Sequence, residues 1–164
     1  MTTSSSAEEI TPTEAIRAAL HAHGFCGVLL FKPDNVQFAT GYAVRIEANV
    51  SHADRWALVP AAGQAVVWEH PAVINLLGPD TGEGVELRPA VGVDLLGRHD
   101  GHHEAFGAEI ADVLAGCEGL PLAVDELEVS GFMSLRHRGL DIRDAAELLD
   151  AAHAAVSSRL SSRR

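Results

Sequence analysis

Gly27-Val28-Leu29-Leu30-Phe31-Lys32-Pro33-Asp34-Asn35-Val36-Gln37-Phe38-Ala39-Thr40-Gly41-Tyr42 reads as an apolar strand, a Pro-Asp-Asn turn and a second, aromatic-bearing segment. The run from Gly27 to Phe31 is apolar without alternation, the pattern of a central strand covered on both faces. Upstream, Thr11-Pro12-Thr13-Glu14 has the form of a helix start. Thr11 serves as N-cap, Pro12 takes the first helical position and Glu14 closes a capping box. Ala15, Ile16, Ala19 and Leu20 give that helix one apolar face, and Gly24 stops it.

Downstream, Ala43 to Asp54 mixes Arg45, Glu47, Asn49 and His52 without any period and reads as a surface loop. Trp56 to Pro60 and Gln64 to Glu69 are short β-rich runs joined by Ala61-Ala62-Gly63, the signature of a hairpin. Gly78 to Gly84 is loop, and Val85 to Val91 holds one more strand interrupted by Pro89. His102 to Gly116 carries Phe106, Ile110, Val113 and Leu114 at helical spacing. Leu122 to Val124 is a short strand, Glu126 to Arg138 a helix that tolerates Gly131, and Ile142 a last strand position. Asp144 then caps a helix from Ala145 to Val156. Strands alternating with helices around one hairpin specify a mixed α/β sheet layered with helices, in a single domain over residues 11–157. Residues 1–10 bury nothing and are expected to be disordered, and 158–164 read as a frayed basic tail.

The totals narrow the function. A 164-residue chain with 47% hydrophobic residues can close one ordinary core. Its formal charge of -11 repels phosphate backbones and anionic bilayers, which disfavours nucleic acid and membrane surfaces as partners. Lys32 is the one lysine among 12 basic residues, and no glycine-rich loop surrounds it. No apolar run reaches the ~20 residues of a membrane span. Cys26 and Cys117 are widely separated in apolar surroundings, which fits buried thiols of a cytoplasmic protein better than a disulfide framework.

The quoted stretch resembles the signature at the start of creatinase/prolidase-type N-terminal domains. The resemblance continues through Arg55-Trp56-Ala57-Leu58-Val59-Pro60, Gln64-Ala65-Val66-Val67-Trp68-Glu69 and Pro121-Leu122-Ala123-Val124-Asp125. It covers roughly residues 14–152 and is nearest in pattern to the subgroup of dimethylsulfoniopropionate lyase-like and Xaa-Pro dipeptidase-like proteins. It implies a creatinase N-terminal-like, ribonuclease H-like mixed sheet flanked by helices. It also implies that the metal chemistry of the family sits in a following domain that this sequence does not contain. Where family members run into a linker toward that domain, this chain has His153, Val156 and Ser157. The resemblance therefore points to a free-standing, non-catalytic module that dimerises or caps a separately encoded creatinase-fold catalytic chain. The alternative is an N-terminal fragment of a metal-dependent Xaa-Pro peptidase, creatinase or dimethylsulfoniopropionate lyase-like enzyme.

Candidate sites follow from this resemblance and from the residues themselves. In creatinase-like dimers the loop matching residues 43–55 reaches over the neighbouring active site, which makes Arg45, Glu47, Asn49 and His52 the candidate substrate- or partner-contacting set. The bland reading of the same residues is a solvated loop. Ala48 stands where the lyase-like subgroup has an aromatic ring, and an alanine cannot shield a cationic sulfonium. Trp56, Trp68, Leu76 and Leu77 are the candidate residues for a subunit interface, or else ordinary core. The cluster His99-Asp100-Gly101-His102-His103-Glu104 contains metal-capable side chains, and His103-Glu104 opens like a zinc-binding His-Glu-x-x-His. The returning position, however, is Gly107, so the cluster reads as an acidic helix start. No catalytic residue, metal or cofactor is expected.

Overall fold

The computed structural model describes residues 10–42, 55–77, 84–90, 102–117 and 119–161. In chain order the elements are α1 (Pro12–His23), β1 (Gly27–Leu30), α2 (Pro33–Thr40), β2 (Trp56–Pro60), β3 (Ala65–Glu69), α3 (Pro71–Leu77), β4 (Val85–Pro89), α4 (His102–Val113), β5 (Leu122–Val124), α5 (Val129–His137), β6 (Ile142–Asp144) and α6 (Ala146–Ser161). The strands form a six-stranded sheet in the order β4-β3-β2-β1-β5-β6. The pairs β1–β2 and β2–β3 are antiparallel, and β3–β4, β1–β5 and β5–β6 are parallel. This is the mixed α/β sheet that the alternation of elements specifies.

The uninterrupted apolar run of β1 is explained by its place beside β2 and β5 at the centre of the sheet. Successive strand residues point to opposite faces, and both faces are covered. Val28 and Leu30, with Ala57, Val59, Ala65, Val67 and Ala123, meet α1, α2 and α6. Leu29, with Trp56, Leu58, Val66, Trp68, Leu122 and Val124, meets Phe106, Ile110 and Leu114 from the α4 region and Leu135 of α5. Pro89 closes β4 on the sheet edge, where a missing ladder donor costs nothing.

The capping box on α1 forms as the sequence specifies. Thr11 Oγ1 accepts the Glu14 amide at 3.2 Å and Glu14 Oε2 accepts the Thr11 amide at 2.7 Å. The Thr11 amide, and after it the Thr11 hydroxyl donating to the same oxygen at 2.8 Å, hold the Glu14 carboxyl below its usual range. Gly24 ends the helix at φ 71°, a conformation glycine adopts without strain.

Four expectations are corrected. The Pro-Asp-Asn turn is the first turn of α2, with Pro33 at its start and Gly41 at its end. Lys32, the N-cap, offers no side-chain cap of its own. Asp125, the residue after β5, instead braces the β1–α2 junction, accepting the Phe31 and Lys32 amides at 2.8 and 3.2 Å and Asn35 Nδ2 at 2.8 Å. Helix α5 starts at Val129 rather than Glu126, because Asp125 is committed to that junction and Leu127 folds back over Gly131. Residues 71–77, which carry no helix in the sequence reading, form α3. Helix α6 continues to Ser161, through part of the segment read as a frayed tail. His153 stacks on Phe38 of α2 with ring centroids 3.7 Å apart.

Candidate functional site

Glu69, the last residue of β3, is wholly buried. An ionised carboxylate in such a place needs partners. Arg55, one residue before β2, supplies its Nε at 2.5 Å from Oε2, and the His70 amide donates to Oε1 at 2.8 Å. The Arg55 guanidinium also lies over the ring of Tyr42, 5.9 Å from its centroid. Tyr42 Oη is shut from solvent, and its pKa is pushed up to about 12, first by burial and then by the Glu69 carboxylate. Tyr42 and Arg55 are the residues on either side of 43–54, so both flanks of that segment converge on one buried carboxylate. Arginine stays protonated in proteins. Arg55 therefore gives the buried Glu69 carboxylate a lasting countercharge.

Arg45, Glu47, Asn49 and His52 lie outside the described residues, as does Ala48; what the structure establishes is the anchoring of their flanks. Trp56 and Trp68, candidates for a subunit interface or else ordinary core, lie in the core. They are 1% and 0% exposed and pair directly across β2 and β3. Their rings stack at 5.8 Å, with Phe31 at 6.0 Å and Phe106 edge-on at 5.7 Å from Trp56. Trp68 Nε1 donates to Glu109 of α4, and Arg88 of β4 lies 5.8 Å over its ring. The reason is the packing of α4 onto this side of the sheet, which encloses both indoles. Leu76 and Leu77 belong to α3, and their side chains lie outside the described set.

The exposed apolar residues that the sequence reading did not select are Val129 (79%), Phe132 and Met133 on α5, together with Leu120. Their signal was the i, i+3, i+4 spacing of Val129, Phe132 and Met133, which makes one helix face. His102, His103 and Glu104 begin α4, as the helix-start reading holds, while 99–101 lie outside the described residues. Gly107 has a packing role. A Cβ there would stand 2.5 Å from Ser134 Oγ and 3.0 Å from Arg138 Nε, where α4 crosses α5. Among the described residues, no group of three or more His, Cys, Asp or Glu is placed to hold a metal ion. No described helix is long and apolar enough to cross a membrane.

No family model matches the sequence. Dimethylsulfoniopropionate lyase DddP of Roseovarius nubinhibens is 28% identical over 135 residues, which is 78% of this chain and 30% of that protein. The chain thus spans less than a third of that curated relative. Among solved structures, a creatine_N superfamily domain of a dipeptidase from Streptococcus thermophilus superposes with a TM-score of 0.55 at 12% identity, covering 86% of this chain and 97% of that one. The prolidase of Thermococcus sibiricus gives 0.59 at 15% identity, covering 88% of this chain and 36% of its own. Dipeptidase PepE of Mycobacterium ulcerans gives 0.57 at 19%, covering 85% and 34%. The sheet order, the enclosing helices and these superpositions agree: this chain has the fold of the creatinase N-terminal domain found in Xaa-Pro dipeptidases and aminopeptidases.

Proposed function

We propose that this chain is a non-catalytic creatinase N-terminal-like module that associates with a second subunit, either a copy of itself or a separate creatinase-fold catalytic chain, and presents residues 43–54 to it. The observation that carries this reading is the convergence of Tyr42 and Arg55 on buried Glu69. A segment whose two flanks are fixed to the sheet can project Arg45, Glu47, Asn49 and His52 at little further ordering cost. Arg45 suits bidentate binding of a carboxylate. Supporting the assignment to a module, the same fold makes up about a third of the longer prolidase and PepE chains.

Sedimentation equilibrium and affinity capture from native lysate test the partner. The expected result is a mass above 17.3 kDa or recovery of a creatinase-fold catalytic chain, weakened by Arg45→Ala with His52→Ala at an unchanged melting temperature. A clean monomer with no such chain captured overturns the association. Assays with Xaa-Pro dipeptides and dimethylsulfoniopropionate, with divalent metals added, test the non-catalytic reading. Turnover that survives repurification overturns it in favour of a piece of a metal-dependent enzyme.

A further inference from the structure

Helix α5 has two unlike faces. Gly131, Ser134 and Leu135 are buried, and the crossing with α4 is so close that a Cβ on Gly107 would stand 2.5 Å from Ser134 Oγ. Val129, Phe132, Met133 and Arg136 are all exposed, and their i, i+3, i+4, i+7 spacing makes them one stripe along the helix. Charge is divided along that stripe. Glu126 and Glu128 are exposed at the start of α5, and Arg136 and His137 are exposed at its end. Arg136 has Asp141 at 3.6 Å, with both side chains about half exposed, so a second carboxylate can still reach it. Arg138 instead turns toward α4, where Nη2 donates to Glu104 O at 3.1 Å. A helix's own dipole accounts for acid at its start and base at its end. It gives no reason for three exposed apolar side chains between them, where a solvated face carries such residues singly.

We propose that this stripe is the contact between two copies of the chain, with α5 packed antiparallel on α5 of the second copy about a two-fold axis. This pairing rests on the proposed association of the module, with a second copy as the partner and α5 as the surface. A two-fold contact must be complementary to itself, and the order of residues along α5 meets that condition. With the axis between Phe132 and Met133, Phe132 of each copy faces Met133 of the other, and Val129 faces the apolar stem of Arg136. Glu128 of one copy then lies within one residue rise, about 1.5 Å along the helix, of the level of Arg136 in the other. This opposition of charge repeats at both ends of the contact. A parallel pair would set Glu128 against Glu128 and Arg136 against Arg136, and like charges so placed repel. One stripe of a nine-residue helix falls short of the roughly 800 Å² per partner of a standard interface. The dimer is therefore reversible and forms with rising concentration.

The test is sedimentation velocity of the whole chain over a wide range of concentration. The expected result is a monomer–dimer equilibrium. Glu128→Arg and Arg136→Glu, both surface changes that leave the melting temperature unchanged, should each weaken it about tenfold or more, because each sets like charges together. Mixed, these two variants should pair with each other, since every contact between positions 128 and 136 is then opposite in charge, and a chain carrying both changes should recover self-association. Val129→Glu with Met133→Glu should leave a monomer. A dimer that persists in all of these variants, or a mixture no tighter than its components, overturns the α5 contact and leaves the association itself standing. A wild-type monomer that captures a separate creatinase-fold catalytic chain overturns the self-pairing and leaves the module reading intact; loss of that capture in the Val129 variant assigns the face to that chain. Neither dimer nor capture overturns both.

Discussion

Arg55 and Glu69 face each other across the open end of the β2–β3 hairpin, joined by a 2.5 Å Nε–Oε2 contact in which the carboxylate is fully buried and the guanidinium is one-quarter exposed. The pair ties the residue that follows segment 43–54 to the sheet. Replacing Arg55 by Ala strands a buried charge, a change that costs about 3 to 5 kcal/mol when nothing compensates. With Arg55 partly exposed, a loss of about 3 kcal/mol is expected in urea unfolding. Arg55→Ala combined with Glu69→Gln should recover a large part of it. Equal losses in the single and double variants would show that the buried charge is not what the pair controls.

Tyr42 is the single tyrosine, so the ultraviolet absorbance of tyrosinate reports it alone. Its folded pKa of about 12 lies above the ordinary value of 10.0. The folded state therefore holds the phenolic proton more tightly than the unfolded state. The associated stability is complete below pH 10 and is lost as pH rises from 10 toward 12. Tyrosinate formation in the native protein is expected at higher pH than in denaturant, and Tyr42→Phe should flatten the fall in stability over that window. Coincident titration curves in the two states would contradict the buried placement of the hydroxyl.

Gly107 and Gly131 reverse the usual helix rule. Glycine to alanine inside a helix normally stabilises by about 1 kcal/mol. Here a Cβ at 107 would overlap Ser134 Oγ at 2.5 Å, and one at 131 would meet Leu127 Cδ1 at 2.6 Å. Gly107→Ala should destabilise by about 1 to 3 kcal/mol, the usual cost of overpacking. In a Ser134→Ala background the same change should cost less, because the overlapping oxygen is gone. Thermal melts of the four proteins measure this coupling, and additive effects would count against the close crossing of α4 and α5.

Asp125, the residue after β5, braces the β1–α2 junction through three hydrogen bonds. Each such bond to a charged acceptor contributes about 1.5 to 3 kcal/mol at most. Asp125→Ala is expected to cost about 3 kcal/mol in chemical denaturation, and Asp125→Asn about half as much, since one acceptor oxygen remains. Faster hydrogen exchange at the Phe31 and Lys32 amides should accompany the loss. Unchanged protection there would mean that α2 is held by its packing alone.

The sequence by itself determined the elements whose causes are local. The Thr11–Glu14 box, the Gly24 stop, the uninterrupted apolar run of β1 and the Trp56-to-Glu69 hairpin each depend on residues close in the chain, and from their order the mixed α/β sheet followed. The tertiary structure decided whatever depends on distant partners. Pro33-Asp34-Asn35 opens a helix whose junction with β1 is braced by Asp125, remote in sequence. Trp56 and Trp68 became core because α4 covers their side of the sheet. Gly107, a missing ligand in a one-dimensional motif, turned out to permit a helix crossing. Tyr42, Arg55 and Glu69 were scattered along the sequence as an aromatic, a loop arginine and a strand end, and only the closing of the sheet brought them together. Burial and long-range pairing are properties of the assembled layers, and no local pattern of residue types encodes which polar side chain will be enclosed with which.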